Sequence, residues 1–421
     1  MQFESFIDAQ SAMLWGAFVI ALVMGAVVNK TNFCTMGAVS DFINMGDTGR
    51  LRAWLFAIAV AVVGVSVLEY LGLIQPDSAF PPYRGSVIII AENVLGGLMF
   101  GIGMTLASGC GNKQLIRIGG GNLKSLVVFA IIGVIAYFMI NPFPGSDKTL
   151  MSVLFYDWIR PLSVDVGTSQ DLGTVVAGEE NALLARLVIG LMIGVALFWF
   201  AFRSTDFRGN RDHILGGLVV GLAVLGAWYV TSSIQVNADG ETLSLVEYYE
   251  QWDMLADSEE GKPAAGRPLS PQSFTFINPL GQTLGYLASG LNSALLTFGV
   301  VAVAGVILGS FLYAVLSRGF RIEWFSSGRD VVNHVIGAVL MGFGGVLAMG
   351  CTIGQAITGI STLAIGSMLT FGAIFLGSAL TMKVQYYKMV YEDEASFFKA
   401  LITGLVDLKL LPGSLRQLEA V

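Results

Sequence analysis

Nine mainly apolar stretches alternate with polar connections along the chain, at about 12–28, 53–74, 88–109, 123–140, 183–202, 213–231, 291–316, 333–350 and 363–382. Each is long enough for one helical passage through a bilayer core, which takes about 20 residues and sometimes as few as 17. The pattern predicts an all-α polytopic membrane protein. It forms one transmembrane domain, with a first half over about 12–140 and a second over about 183–382. An odd number of passages puts the termini on opposite sides.

The connections differ in charge. Lys30, Arg50 and Arg52, then Lys113, Arg117 and Lys124, then Arg203, Arg208 and Arg211, then Arg318, Arg321 and Arg329 all fall on one side if the N-terminus is outside. Because basic residues accumulate on the cytoplasmic side, the expected topology is N-out and C-in. The outer connections are then 75–85 and two long loops, 141–182 and 232–280, the second carrying the acidic run "EYYEQWDMLADSEEGK". The tail 384–421 mixes charged and apolar residues ("FFKALITGLVDLKLL") and reads as a cytoplasmic helix on the bundle or the interface, or as a docking helix for a soluble partner. The first ten residues lack a basic run and do not read as a cleaved signal peptide. Glu69 and Arg186, near span ends, read as side chains reaching toward outer water.

Composition narrows the function. Only 13% of residues are charged against 54% hydrophobic, and the net charge of −7 argues against nucleic acid as a partner. Three cysteines form no Cys-x-x-Cys pair and there are two histidines, His213 and His334, so no metal or other cofactor is expected. No Walker A loop is present.

A repeat links the halves. Shifted by 241 positions, "AENVLGGLMFGIGMTLASGCGNKQ" lies over "VVNHVIGAVLMGFGGVLAMGCTIGQ", so that Gly96, Gly101, Gly103, Gly109, Cys110 and Gln114 meet Gly337, Gly342, Gly344, Gly350, Cys351 and Gln355. Asn93 meets His334, which reads as a polar residue at a helix start. A weaker copy at 212–230 lacks the thiol, and Cys34 ends a similar run in "NKTNFC". In the expected topology the two main copies cross in opposite directions. Such inverted repeats with interrupted helices place a transport site near the midplane.

Each main cysteine ends an apolar run at glycine-rich sequence. A short helix restarting there would aim its N-terminus at the thiol, and backbone N–H groups at that end attract anions. Gln114 and Gln355 fall one turn on, facing the same way as Cys110 and Cys351. A neutral thiol is a soft, weak donor suited to a sulfur-bearing anion. Weak successive sites are what conduction needs, since every site must also release its ion. Packing is the alternative role for these thiols, and anchoring at the inner face is the simplest role for Lys30, Lys113 and Arg117.

"GIGMTLASGC", "GFGGVLAMGCTIGQAITGIS" and "NKTNFC" resemble the YeeE/YedE family of bacterial inner-membrane proteins, associated with uptake of sulfur compounds and above all thiosulfate. The resemblance covers about 12–140 and 183–382, with Lys113 standing where the second motif has Gly354. It implies a helical bundle with short pore-lining helices, and no enzyme. Cys34, Cys110 and Cys351 would pass thiosulfate along a central path by hydrogen bonding, assisted by Gln114 and Gln355. A cytoplasmic sulfur-carrier or sulfurtransferase protein is the implied partner beside the lipid bilayer. Three alternatives remain open: a thiol enzyme forming a persulfide, an anchor for a sulfur carrier, and a selenium compound or sulfite as the transported species.

Overall fold

The computed structural model describes residues 1–238, 240–252 and 269–419; most of the acidic run falls in 253–268, outside the described residues. Among the described residues nine helical segments are long and apolar enough to cross a membrane. The protein is a multi-pass membrane protein. In chain order the helices used below are α1 (Phe6–Thr31), α2 (Thr35–Ser40), α3 (Gly49–Tyr70), α4 (Ile90–Leu106), α5 (Gly111–Gly119), α6 (Leu123–Ile140) and α7 (Ala182–Phe202). They continue as α8 (Arg211–Ser233), α9 (Asn278–Ala288), α10 (Phe298–Leu316), α11 (Gly328–Leu347), α12 (Ile365–Val390) and α13 (Phe397–Asp407). A π-helical turn, Ile353–Gly359, links α11 to α12. Among the described residues the short strands form a 2–3/235–238/241–244 patch and an 87–89/163–165 pair.

Helix starts carry side-chain acceptors for otherwise orphaned N–H groups. Asn122 accepts from Ser125 N at 3.1 Å, Thr297 from Val300 N at 3.3 Å and Ser327 from Asp330 N at 3.2 Å. Between these caps the spans are apolar nearly all round, so glycine decides where helices meet. In lipid there is no hydrophobic drive between helices, and close backbone packing replaces it.

The contact of α4 with α11 is reciprocal. A Cβ on Gly96 would stand 2.7 Å from Ala348 N, and one on Gly337 2.7 Å from Ala107 N. Likewise a Cβ on Gly103 would stand 2.6 Å from Gly337 O, and one on Gly344 2.6 Å from Gly96 O. Higher numbers on α4 meet lower numbers on α11, so the two helices are antiparallel. In the 241-residue frame Gly96 corresponds to Gly337 and Gly103 to Gly344, which makes each contact the mate of another. The polar starts also match: Asn93 donates to Ile89 O at 3.2 Å, and His334 Nδ1 lies 2.8 Å from Asp330 O, each four residues back.

Two expectations change. Glu69 and Arg186 are not free charges extended into water; both are largely buried in an ion network on the wall of an open cleft. Arg84 grips both Glu69 oxygens at 2.6 and 2.8 Å, and Arg186 takes Glu69 at 2.8 Å and both Asp171 oxygens at 2.9 and 2.8 Å. Asp77 bridges the two arginines at 2.9 and 3.0 Å. Burial alone would raise the Asp171 carboxyl, but the Arg186 hydrogen bonds outweigh it and hold it well below the usual range. The second change concerns the tail. Only its start moves: helix α12 runs on to Val390, and α13 then packs on it as a helix on the bundle, held where Tyr387 donates to Asp407 at 2.7 Å and Lys383 pairs with the same carboxylate at 3.5 Å.

Candidate functional site

All three cysteines sit at the same point of the same local device: a helix ends, one residue turns left-handed, and a new helix starts. After α4, Ser108 takes φ 58° and Gly109 N returns to Met104 O at 2.8 Å; after α11, Met349 takes φ 54° and Gly350 N returns to Gly345 O at 2.8 Å. These are helix-ending hydrogen bonds spanning five residues. After α1, Asn32 takes φ 52°. Gly109 itself lies at φ 157°, within the range that favours glycine.

Each cysteine then caps the following helix. The Cys34 carbonyl accepts from Ala38 N at 3.0 Å, that of Cys110 from Gln114 N at 3.0 Å, and that of Cys351 from Gln355 N at 2.8 Å. Gly37 N and Gly354 N approach the Cys34 and Cys351 sulfurs at 3.5 Å. Sulfur is a weak acceptor at these distances. With the helix N–H spent on a sulfur lone pair, the S–H is left to point elsewhere, next to the positive helix end. The sulfur-to-amide contact was not foreseen from the sequence, which suggested that these amides face the anion directly.

The thiols are buried, with Cys34 6%, Cys110 3% and Cys351 0% exposed. Cys110 lies within electrostatic reach of both Cys351 and Cys34, and Lys113 within reach of Cys34 and Cys110. Lys113 also donates to Asn32 Oδ1 at 2.5 Å, tying α5 to the Cys34 turn. Beside that turn the Arg50 guanidinium packs over Gly37 and pairs with Asp41 at 2.5 and 2.8 Å.

Gln114 and Gln355 reach back across their helix breaks. Gln114 Nε2 donates to Ala107 O at 2.8 Å and Gly109 O at 3.0 Å, and Gln355 Nε2 donates to Ala348 O. Ala107 and Ala348 are repeat mates. The amide donors are therefore committed to backbone carbonyls, while both Oε1 atoms are buried without a protein partner. This geometry fits a brace on the thiol turn.

Several polar groups at the thiols were not singled out from the sequence. The hydroxyls of Thr35 and Thr352, each directly after a cysteine, are buried and unpartnered. Thr352 faces the Cys110 thiol and Thr275 the Cys351 thiol without a hydrogen bond that satisfies either hydroxyl. The shared frame Cys-Thr-x-Gly at 34–37 and 351–354 was a readable signal. Residues 272–277 belong to the connection 232–280, yet they are buried; Phe274 O accepts from Thr358 Oγ1 at 2.7 Å. They lead into α9, whose start "NPLGQ" (278–282) follows the thiol-less copy at 212–230 and parallels "CTIGQ" (351–355). Among the described residues no group of three or more His, Cys, Asp or Glu side chains is arranged to hold a metal ion.

The profile of the sulphur transport family matches residues 30–380, from the Cys34 turn to α12. The chain belongs to that family. It is a family of transporters, not enzymes. The chain is 23% identical over 376 residues to the thiosulfate transporter TsuA of Spirochaeta thermophila, covering 87% of this chain and 97% of that one. It is 25% identical over 357 residues to the thiosulfate transporter TsuA of Escherichia coli, covering 82% and 87% respectively. These matches span both copies of the repeat, so they concern the whole transport domain.

Proposed function

We propose that this sulphur transport family member moves thiosulfate, or a similarly small sulfur anion, inward across the inner membrane, and that Cys351, Cys110 and Cys34 act as successive weak donors. The observation that carries the reading is the common placement of the three cysteines at helix starts after a left-handed turn. Each is buried at a helix start, and Cys34 and Cys351 receive a backbone N–H on sulfur, which frees the S–H for a passing ion. The anion's terminal sulfur is soft and weakly hydrated, so a thiol competes for it better than for a hard oxyanion. Unpartnered polar atoms beside the thiols supply further weak contacts. Gln114 and Gln355 assist by bracing the turns that present the thiols.

The reciprocal α4–α11 contacts support an inverted repeat, and the basic inner connections support N-out, C-in orientation. On that orientation α13 is cytoplasmic, where a sulfur-carrier protein would meet the emerging ion.

The test is uptake of labelled thiosulfate by vesicles holding the purified protein, with sulfate as competitor. Wild type should take up thiosulfate despite sulfate, and Cys110→Ala and Cys351→Ala should lose most uptake while remaining folded. Intact uptake in both variants would remove the thiol path. Persistent covalent sulfur on a cysteine, read by mass spectrometry after substrate exposure, would replace transport by persulfide chemistry.

A further inference from the structure

The thiol path has a buried donor that neither the sequence frame nor the repeat contains. Tyr83 lies in the 75–85 connection, far from any cysteine in sequence, yet it is 2% exposed and its ring belongs to the same buried cluster as Cys110 and Cys351. Its hydroxyl has no hydrogen-bond partner in the protein. A buried phenol O–H left unpaired is costly, and native structures retain such groups where water or a ligand completes them.

Its neighbours fix its position tightly. Tyr83 N donates to Pro81 O at 2.8 Å, and the next residue, Arg84, is locked to both Glu69 oxygens and donates through Nε to Thr362 O at 2.8 Å. Thr362 closes the segment that begins at Cys351. Arg84 also lines an open cleft together with Asp77, Ser169 and Arg186. Through Arg84 and its bond to Thr362, Tyr83 is thus tied both to a solvent-connected cleft, walled by Arg84 and Arg186 with Glu69, Asp77 and Glu179, and to the segment that begins at Cys351, and Cys351 lies within electrostatic reach of its hydroxyl.

We propose that the Tyr83 hydroxyl is a substrate-contacting donor, receiving the anion between the Arg84–Arg186 cleft and Cys351. This rests on the thiosulfate reading above. The chemistry suits an anion: burial pushes the phenol far above its usual range, so it stays a neutral donor at every physiological pH. An O–H donor on the oxygen end and an S–H donor on the sulfur end together match the two faces of thiosulfate. Sulfate would find only the first.

Tyr83→Phe removes the hydroxyl and nothing that the fold uses. In vesicles, uptake at limiting thiosulfate should fall about tenfold or more, the size expected for losing one hydrogen bond to a charged ligand. The Tm without substrate should be unchanged or slightly raised, and the rise in Tm on adding thiosulfate should shrink. Uptake within twofold of wild type would overturn the proposal. So would a lowered Tm without substrate, which would give the hydroxyl a structural partner instead. If wild type itself neither takes up thiosulfate nor is stabilised by it, the underlying transport reading falls, and the Tyr83 role falls with it. Loss confined to Tyr83→Phe cannot be confused with that case.

Discussion

Replacing Gly344 by alanine probes the contact that sets the spacing of the two repeat copies. An added Cβ would stand 2.6 Å from Gly96 O and 2.6 Å from Phe100 N, both backbone atoms of α4. Real Cβ contacts with backbone oxygen essentially never come below 3.0 Å, so the helices must part by several tenths of an ångström. Overpacking of this kind costs about 1–3 kcal/mol. Alanine recovers about 1 kcal/mol over glycine in a helix, leaving a net loss of about 0–2 kcal/mol, the upper end applying here because both blocking atoms are backbone. Gly372 on α12 is the matched control, because a Cβ there meets nothing within 4 Å. Thermal unfolding in detergent should show a lowered Tm for Gly344→Ala and an unchanged or raised Tm for Gly372→Ala. Since α4 and α11 end at the Cys110 and Cys351 turns, uptake should fall in the first variant and hold in the second. Equal behaviour of the two variants would refute the argument that backbone approach decides this interface.

Other expectations follow from the ion network. Arg186→Met leaves Asp171 and Glu69 short of a partner in a buried setting, where breaking a pair costs about 3–5 kcal/mol; the Tm should drop far more than for Lys148→Met, at an exposed loop position. Asp171 titrates well below an ordinary carboxyl, and Asp77 is lowered too, because Arg84 and Arg186 outweigh the opposing effect of burial. A lowered folded value means that the unfolded chain binds the proton first, so this stabilisation is complete above about pH 4 and is lost as pH falls further. Tm measured from pH 7 to pH 3 should be level at first and decline below about pH 4, and a Tm that rises on acidification would contradict the assignment.

Spacing along the chain was enough to read the membrane class, the nine passages and the correspondence of Cys110 with Cys351. Apolar length and a repeated glycine frame are local properties, and they survive without knowledge of what packs where. The sequence also carried two signals that composition alone obscures, the Cys-Thr-x-Gly frame shared by 34–37 and 351–354 and the "NPLGQ" start of α9. Other features depended on the folded chain. Glu69 and Arg186 looked like span-end charges reaching for water, because nothing in the local pattern names Arg84 and Asp77 of the 75–85 connection and Asp171 of the 141–182 connection as their partners. Gln114 and Gln355 looked like ligands for an anion, while the folded backbone presents carbonyls at Ala107 and Ala348 that claim their amide nitrogens.

Where helices begin, end and break is written locally in the chain, since hydrophobic length, capping residues and glycine act within a few residues of themselves. Tertiary structure alone decided which groups share a buried space. Tyr83 comes to the Cys351 turn, and residues 272–277 to both thiol turns, through contacts between segments tens to hundreds of residues apart. The physical reason is that a buried polar atom takes its meaning from whether a partner reaches it, and that depends on how the whole bundle closes.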